Sequence, residues 1–185
     1  MGHLVEVCRI VLDGRGSPID AGVGDPGVDV AGLLAEWEVV GEAVDRLMAS
    51  GGTRWAGPLV LDAFTHEVDL RYVLGEPVSA EHPAFEWCFK LAVGGWGRSL
   101  SARGLPAVLV SVAGMERVAG EGEPAVRVRG ERLDVYRALV GRRTYGQIAA
   151  LDWSGDPGRW LGCFEWGPFT PPERVVEGQS TVKGS

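Results

Sequence analysis

The chain has 185 residues, which suits one large domain or two small ones and leaves ample length for a buried core. Apolar residues make up 45% of it and charged residues 23%, which is ordinary for a globular protein. The net charge of -7 argues against nucleic acid or an anionic membrane as the main partner, because both attract basic surfaces.

The cysteines and the absence of sorting signals predict a cytoplasmic protein. Cys8, Cys88 and Cys163 are odd in number and form no CxxC pair, so neither a disulfide framework nor a cysteine zinc knuckle is indicated. A reducing compartment is the simplest setting for them. The sequence has no signal-peptide pattern and no apolar run of the roughly 18 residues that a membrane span requires.

The first hundred residues predict four helices. Their predicted spans are His3 to about Leu12, Val28 to Met48, Pro58 to about Leu74, and the segment after Pro83 to near Arg103-Gly104. The first two are separated by a long loop from Gly14 to Pro26, which is rich in Gly, Asp and Pro. Four helices in this length predict an antiparallel bundle.

Three of these helices carry clear apolar faces. The fourth is predicted to place six residues on one inward face: Phe85, Cys88, Phe89, Ala92, Trp96 and Leu100. We expect the second to bury one stripe, formed by Leu33, Leu34, Trp37, Val40, Val44, Leu47 and Met48. The third has two stripes, Leu59-Ala63-Leu70-Val73 and Leu61-Phe64-Val68, so we expect it to be buried on more than one side.

The pattern changes after Gly104, where short strands and short helices replace long helices. Strands are predicted from Ala107 to Val112 and from Ala125 to Arg129. The helices are predicted at three places: Leu133 to Val140, a segment beginning at the capping box Thr144-Tyr145-Gly146-Gln147, and a last segment from Asp156-Pro157 through Cys163.

The resulting fold class is α+β, mainly α, with three parts. Residues 1–104 form the helical domain, residues 105–178 form a small α+β domain, and residues 179–185 form a disordered tail.

The third helix contains the most informative polar pair of the chain. Asp62 and His66 are four residues apart, so they share one helix face. A carboxylate and an imidazole on an apolar helix are explained either by a structural hydrogen bond or by a shared metal ion. His3 favours the metal, because bundle metal sites take ligands from facing helices, although an N-terminal surface histidine would have the same sequence.

Three further residues are candidates for supporting roles. Asp69 lies three residues after His66 and could accept a hydrogen bond from its ring, or it could pair with Arg71 or solvent. Arg142 and Arg143 could bind a carboxylate or phosphate of a ligand, or could follow a helix end and interact with its dipole.

Three motifs, in this order, are similar to one actinobacterial family. They are His-Leu-Val-Glu at 3–6, Asp-Ala-Phe-Thr-His-Glu-Val-Asp-Leu-Arg at 62–71, and Gly-Arg-Arg-Thr-Tyr-Gly-Gln-Ile at 141–148 with Leu-Asp-Trp-Ser-Gly-Asp-Pro at 151–157. The chain resembles the mycothiol-dependent maleylpyruvate isomerase family, which belongs to the DinB-like metal-binding four-helix bundles. The resemblance spans nearly the whole chain.

The resemblance implies a divalent metal, usually zinc, held by His3, Asp62 and His66, with mycothiol as the thiol cofactor. The chain departs from the family pattern in two respects. Asp62 stands where the maleylpyruvate isomerase that gives the family its name is expected to carry the longer Glu. In addition, the family's first helix normally precedes the histidine that matches His3. We therefore expect either a misplaced start, which we favour, or a truncated bundle with an exposed apolar groove that forms a homodimer.

The function expected from these observations is a metal-dependent thiol enzyme, either an isomerase or a thiol transferase, acting on an unidentified small molecule. Two alternatives stay open. One is a non-catalytic binding module in which Asp62 and His66 form a structural pair. The other is a metal-assisted hydrolase that uses no thiol.

Overall fold

A computed structural model describes residues 2–13, 29–51, 56–79 and 81–175. The α-helices in these residues are α1 (Gly2–Asp13), α2 (Val30–Ala49), α3 (Ala56–Leu74), α4 (Phe85–Ala102), α5 (Arg132–Leu139), α6 (Tyr145–Ala149) and α7 (Gly158–Leu161). The strands are β1 (Val108–Val112), β2 (Met115–Ala119), β3 (Val126–Arg129) and β4 (Asp152–Trp153). The prediction of an α+β, mainly helical fold is confirmed. The predicted loop at 14–26 and the predicted tail at 179–185 lie outside the described residues.

The chain divides into two compact units, residues 1–64 and 65–185, and the division passes through α3 between Phe64 and Thr65. The two compact units meet between residues 64 and 65, whereas the predicted domains meet near Gly104. The domain boundary near Gly104 and the DinB-like bundle therefore stay predictions.

The first unit contains α1, α2 and the first half of α3, around a small apolar cluster. Val7, Cys8, Val44 and Leu59 form the buried part of that cluster. Helix α2 begins at Asp29, whose carboxylate accepts hydrogen bonds from the first-turn N–H groups of the helix. Of its predicted inward stripe only Val44 is fully buried, and Leu34 is exposed.

The second unit contains a four-stranded sheet in the described residues, with the strand order β2-β1-β3-β4. Strands β1 and β2 form an antiparallel hairpin, β1 and β3 are parallel, and β3 and β4 are antiparallel. Gly114 turns the hairpin with a positive φ of 77° that favours glycine. The sequence predicts β1 and β3 to within one residue, but it does not predict β2 or β4.

Helix α4 provides much of the core of the second unit. Its predicted inward residues, Phe85, Cys88, Phe89, Ala92, Trp96 and Leu100, are all buried, so this prediction is confirmed. Two glycines on α4 permit close approach by other parts of the unit. A Cβ at Gly95 would lie 2.0 Å from the ring of Trp166, and a Cβ at Gly97 would lie 2.5 Å from the backbone nitrogen of Gly120.

The prediction that α3 buries both apolar stripes is confirmed for Leu61-Phe64-Val68 and wrong for the end of the other stripe. Leu70 and Val73 are 56% and 84% exposed. In the second half of α3, Thr65, Asp69 and Tyr72 instead bind residues of α5 and of the segment after it. These three residues occupy positions i, i+4 and i+7 of α3, so they form a polar stripe on one face of its second half.

Candidate metal site

The structure brings His3, Asp62 and His66 together. One ligand atom from each of them lies within 4.8 Å of the other two, and no other group of His, Cys, Asp or Glu in the described ranges has this geometry. His3 Nε2 lies 3.6 Å from Asp62 Oδ2. The ligand set that the sequence suggested therefore occupies one small volume.

The site is built from two helices. His3 lies in the first turn of α1, whose buried residues Val7 and Cys8 join the apolar cluster of the first unit. Leu59 of α3 belongs to the same cluster, and Asp62 follows it by one helical turn. His66 lies one further turn along this continuous helix, so its position relative to Asp62 follows from the geometry of α3 alone.

The three residues fit a divalent metal ion. Two imidazoles and one carboxylate are a donor set typical of zinc. A tetrahedral zinc site with bonds of about 2.0–2.2 Å separates its ligand atoms by roughly 3.4 Å, which is close to the separation of His3 and Asp62. The side chains of all three residues are about one third exposed, so a bound ion could keep a position open for a ligand from solution.

Asp69 lies beside the site, but it is bound by arginines from another part of the second unit. Its Oδ2 lies 4.0 Å from His66 Nδ1. Arg137 Nη1 donates to Oδ1 at 3.1 Å, and Arg142 Nε donates to Oδ2 at 3.0 Å. The suggested pairing of Asp69 with Arg71 is wrong, because Arg71 instead forms ion pairs with Glu67 and Glu76.

Sequence reasoning did not identify Arg137 at all. Its side chain is only 4% exposed although arginine usually lies at the surface, and it is separated from Asp69 by 68 residues. Burial and the neighbouring charge of Arg143 lower its pKa, whereas Asp69 raises it. A helical pattern of period 3.6 gives no signal for an arginine that is buried by a partner so distant in sequence.

Arg142 and Arg143 both have partners within the protein. Besides binding Asp69, Arg142 donates through Nη1 to the carbonyl oxygen of Val140 at 3.0 Å, just after the end of α5. Arg143 donates to Asp134 Oδ1 at 2.5 Å. The helix-end role suggested by the sequence therefore describes Arg142, while binding of an anionic ligand by either residue stays a prediction.

Two of the cysteines, Cys8 and Cys88, have a pKa raised well above neutral pH. Burial, with the negative charges of Asp62 and Asp45, raises the pKa of Cys8 to about 11. Burial raises the pKa of Cys88 to about 12. Both are protonated thiols near neutral pH, so they act as small buried apolar side chains.

His82 takes the role of a helix-entry residue that its position before Pro83 suggests. Its Nδ1 accepts a hydrogen bond from the N–H of Ala84 at 3.2 Å, and its Nε2 lies 3.3 Å from Glu67 Oε2. It does not belong to the cluster of His3, Asp62 and His66.

Comparison of the chain with protein-family models, curated proteins and solved structures returns no match. None of the described helices is both long and apolar enough to cross a lipid bilayer. A functional assignment therefore depends on the geometry and chemistry of the site itself.

Proposed function

We propose that the protein binds a divalent metal ion, zinc in the first instance, through His3, Asp62 and His66, and that the metal binds and activates a low-molecular-weight thiol such as mycothiol. The observation that supports this most directly is the convergence of the three ligand atoms within 4.8 Å. The resemblance of the sequence to the mycothiol-dependent family supplies the thiol.

The charge of the ligand set favours an anionic partner. Two neutral imidazoles and one carboxylate leave a bound divalent ion with a net charge of about +1. A divalent ion lowers the pKa of a coordinated thiol and holds it as the thiolate.

The side chains around the ligands would orient them. The Nδ1 atom of His66 faces Asp69, which leaves Nε2 as its metal-binding atom. His3 uses Nε2, the atom nearest to Asp62.

Metal analysis of the purified protein tests the ligand set. We expect one zinc ion per chain after dialysis against a zinc buffer, and at least about a tenfold loss of affinity in His66→Ala. His82→Ala is the matched control, because it removes a histidine that lies outside the cluster. Absence of stoichiometric metal in the wild type, or equal affinity in His66→Ala, would favour a structural Asp-His pair.

The thiol is tested separately on cobalt-substituted protein. Addition of mycothiol is expected to produce a sulfur-to-cobalt charge-transfer band, because Co²⁺ adopts zinc sites and reports a coordinated thiolate. A protein that binds cobalt but shows no such band would be better described as a metal-assisted hydrolase or a metal-binding module.

A further inference from the structure

The second half of α3 is joined to α5 by a polar stripe. Thr65 Oγ1 and the Tyr136 hydroxyl share a buried hydrogen bond of 2.7 Å. One and two turns further along α3, Asp69 and Tyr72 both contact Arg137, whose guanidinium group lies 4.1 Å from the centre of the Tyr72 ring. This stripe fixes the part of α3 that carries His66.

Asp69 is held at both of its oxygens. Arg137 binds Oδ1, while Nε and Nη2 of Arg142 both lie 3.0 Å from Oδ2. Arg137 is a nearly buried charge, and a buried charge is tolerated only with a fixed partner of opposite sign. The carboxylate of Asp69 is therefore held at both oxygens by arginines.

The oxygen held by Arg142 is the one that faces His66. The distance from Asp69 Oδ2 to His66 Nδ1 is 4.0 Å, so a movement of about 1 Å would bring the pair within hydrogen-bond distance. A hydrogen bond at this nitrogen fixes the tautomer and the ring plane of a ligating histidine. The geometry thus links Arg142 to His66 through one carboxylate oxygen.

We propose that Arg142 is a positioning residue for the metal site. It holds Asp69 so that the carboxylate orients His66, and it thereby increases the affinity of the site for a divalent ion. This inference rests on the proposed function, because it concerns the same three ligands.

The sign of the expected effect separates positioning from simple electrostatics. Removal of a positive charge near a cation site should strengthen cation binding if only charge matters. Loss of a positioning contact should weaken it. Arg142→Gln therefore discriminates between the two effects by direction as well as by size.

The experiment measures the dissociation constants of Zn²⁺ and Co²⁺ by competition with a chromophoric chelator, on full-length protein whose helicity is checked by circular dichroism. We expect Asp69→Asn to weaken binding about 10–100-fold and Arg142→Gln to weaken it about 3–10-fold, because Arg142 acts one contact further away. The visible absorption of bound Co²⁺ should change in both variants.

Arg71→Gln is the matched control. This substitution also removes one positive charge, but Arg71 lies on α3 and is paired with Glu67 and Glu76 rather than with Asp69. We expect its affinity to equal or slightly exceed that of the wild type. In an Asp69→Asn background, Arg142→Gln should no longer weaken binding, since the carboxylate through which it orients His66 is then absent.

Each result has a defined meaning. Unchanged or tighter binding by Arg142→Gln, or an undiminished effect in the Asp69→Asn background, overturns the positioning role alone. A wild-type protein that takes up neither ion overturns the proposed function and the positioning role together. If Arg142→Gln does not fold, Arg142→Lys replaces it and is expected to bind more weakly than Arg71→Lys.

Discussion

Helices α2 and α4 have nearly the same length but very different burial. Helix α2, in the first unit, has 20 residues and buries only Val44. Helix α4, in the second unit, has 18 residues, of which nine are buried. Both sequences carry an apolar stripe of helical period, so the stripe predicts the helix and its inward face but not how completely other elements cover that face.

The largest expected effect is at Trp96, at the centre of the buried face of α4. Trp96 is 0% exposed, so Trp96→Ala should lower the free energy of unfolding of the second unit by about 3–5 kcal/mol. Trp87→Ala is the control on the same helix, because Trp87 is 43% exposed and should cost about 1 kcal/mol or less. Urea denaturation measures both, and equal losses would contradict the difference in burial.

An intermediate effect is expected at alkaline pH in the first unit. The pKa of Cys8 is raised from 9.0 to about 11, so the folded state retains its proton where the unfolded state loses it. The associated stability is fully present below pH 9 and is lost as the pH rises towards 11, by about 2–3 kcal/mol in total.

Comparison with Cys8→Ala isolates this contribution. The variant loses packing equally at every pH, so only the slope of its stability between pH 9 and 11 should be shallower than that of the wild type. Denaturation midpoints at pH 7, 9 and 11 give the slopes. Parallel curves for the two proteins would show that Cys8 ionises no differently in the folded and unfolded states.

The smallest expected effect is at Val44, in the small cluster of the first unit. Val44→Ala should destabilise that unit by about 1–2 kcal/mol, since it removes two buried methyl groups. Val39→Ala makes the same chemical change at a position of α2 that is 70% exposed, and it should be neutral or slightly stabilising because alanine favours helices. Hydrogen exchange of the α2 amides measures the difference, and equal exchange would show that Val44 contributes no more than a surface residue.

The parts of the fold that sequence predicts are those with strong local signals. The capping box at Thr144 and Gln147 is present, because both of its hydrogen bonds form between residues three apart. Strand β2 was missed because its sequence, Met-Glu-Arg-Val-Ala, buries only Ala119 and pairs on one side with β1. Residues 115–119 are identified as a strand by their hydrogen bonds to β1, and the amino-acid composition of the segment does not reveal those bonds.

The candidate site shows the same limit. The spacing of Asp62 and His66 on one helix was predictable, because four residues make one turn. Their proximity to His3 was suggested by the motif order, and the structure brings the three together. The contact of Asp69 with Arg137 could not be predicted, because the two residues are 68 positions apart and neither lies in a periodic pattern that points to the other.

The two close approaches to α4 determine where this protein tolerates a common engineering change. Replacing a helical glycine with alanine usually adds up to about 1 kcal/mol of stability. Gly41 of α2 and Gly94 of α4 have room for the added methyl group, whereas at Gly95 and Gly97 it would collide with Trp166 and with the backbone at Gly120. A consensus or library design for greater thermal tolerance should therefore vary Gly41 and Gly94 and keep the other two fixed.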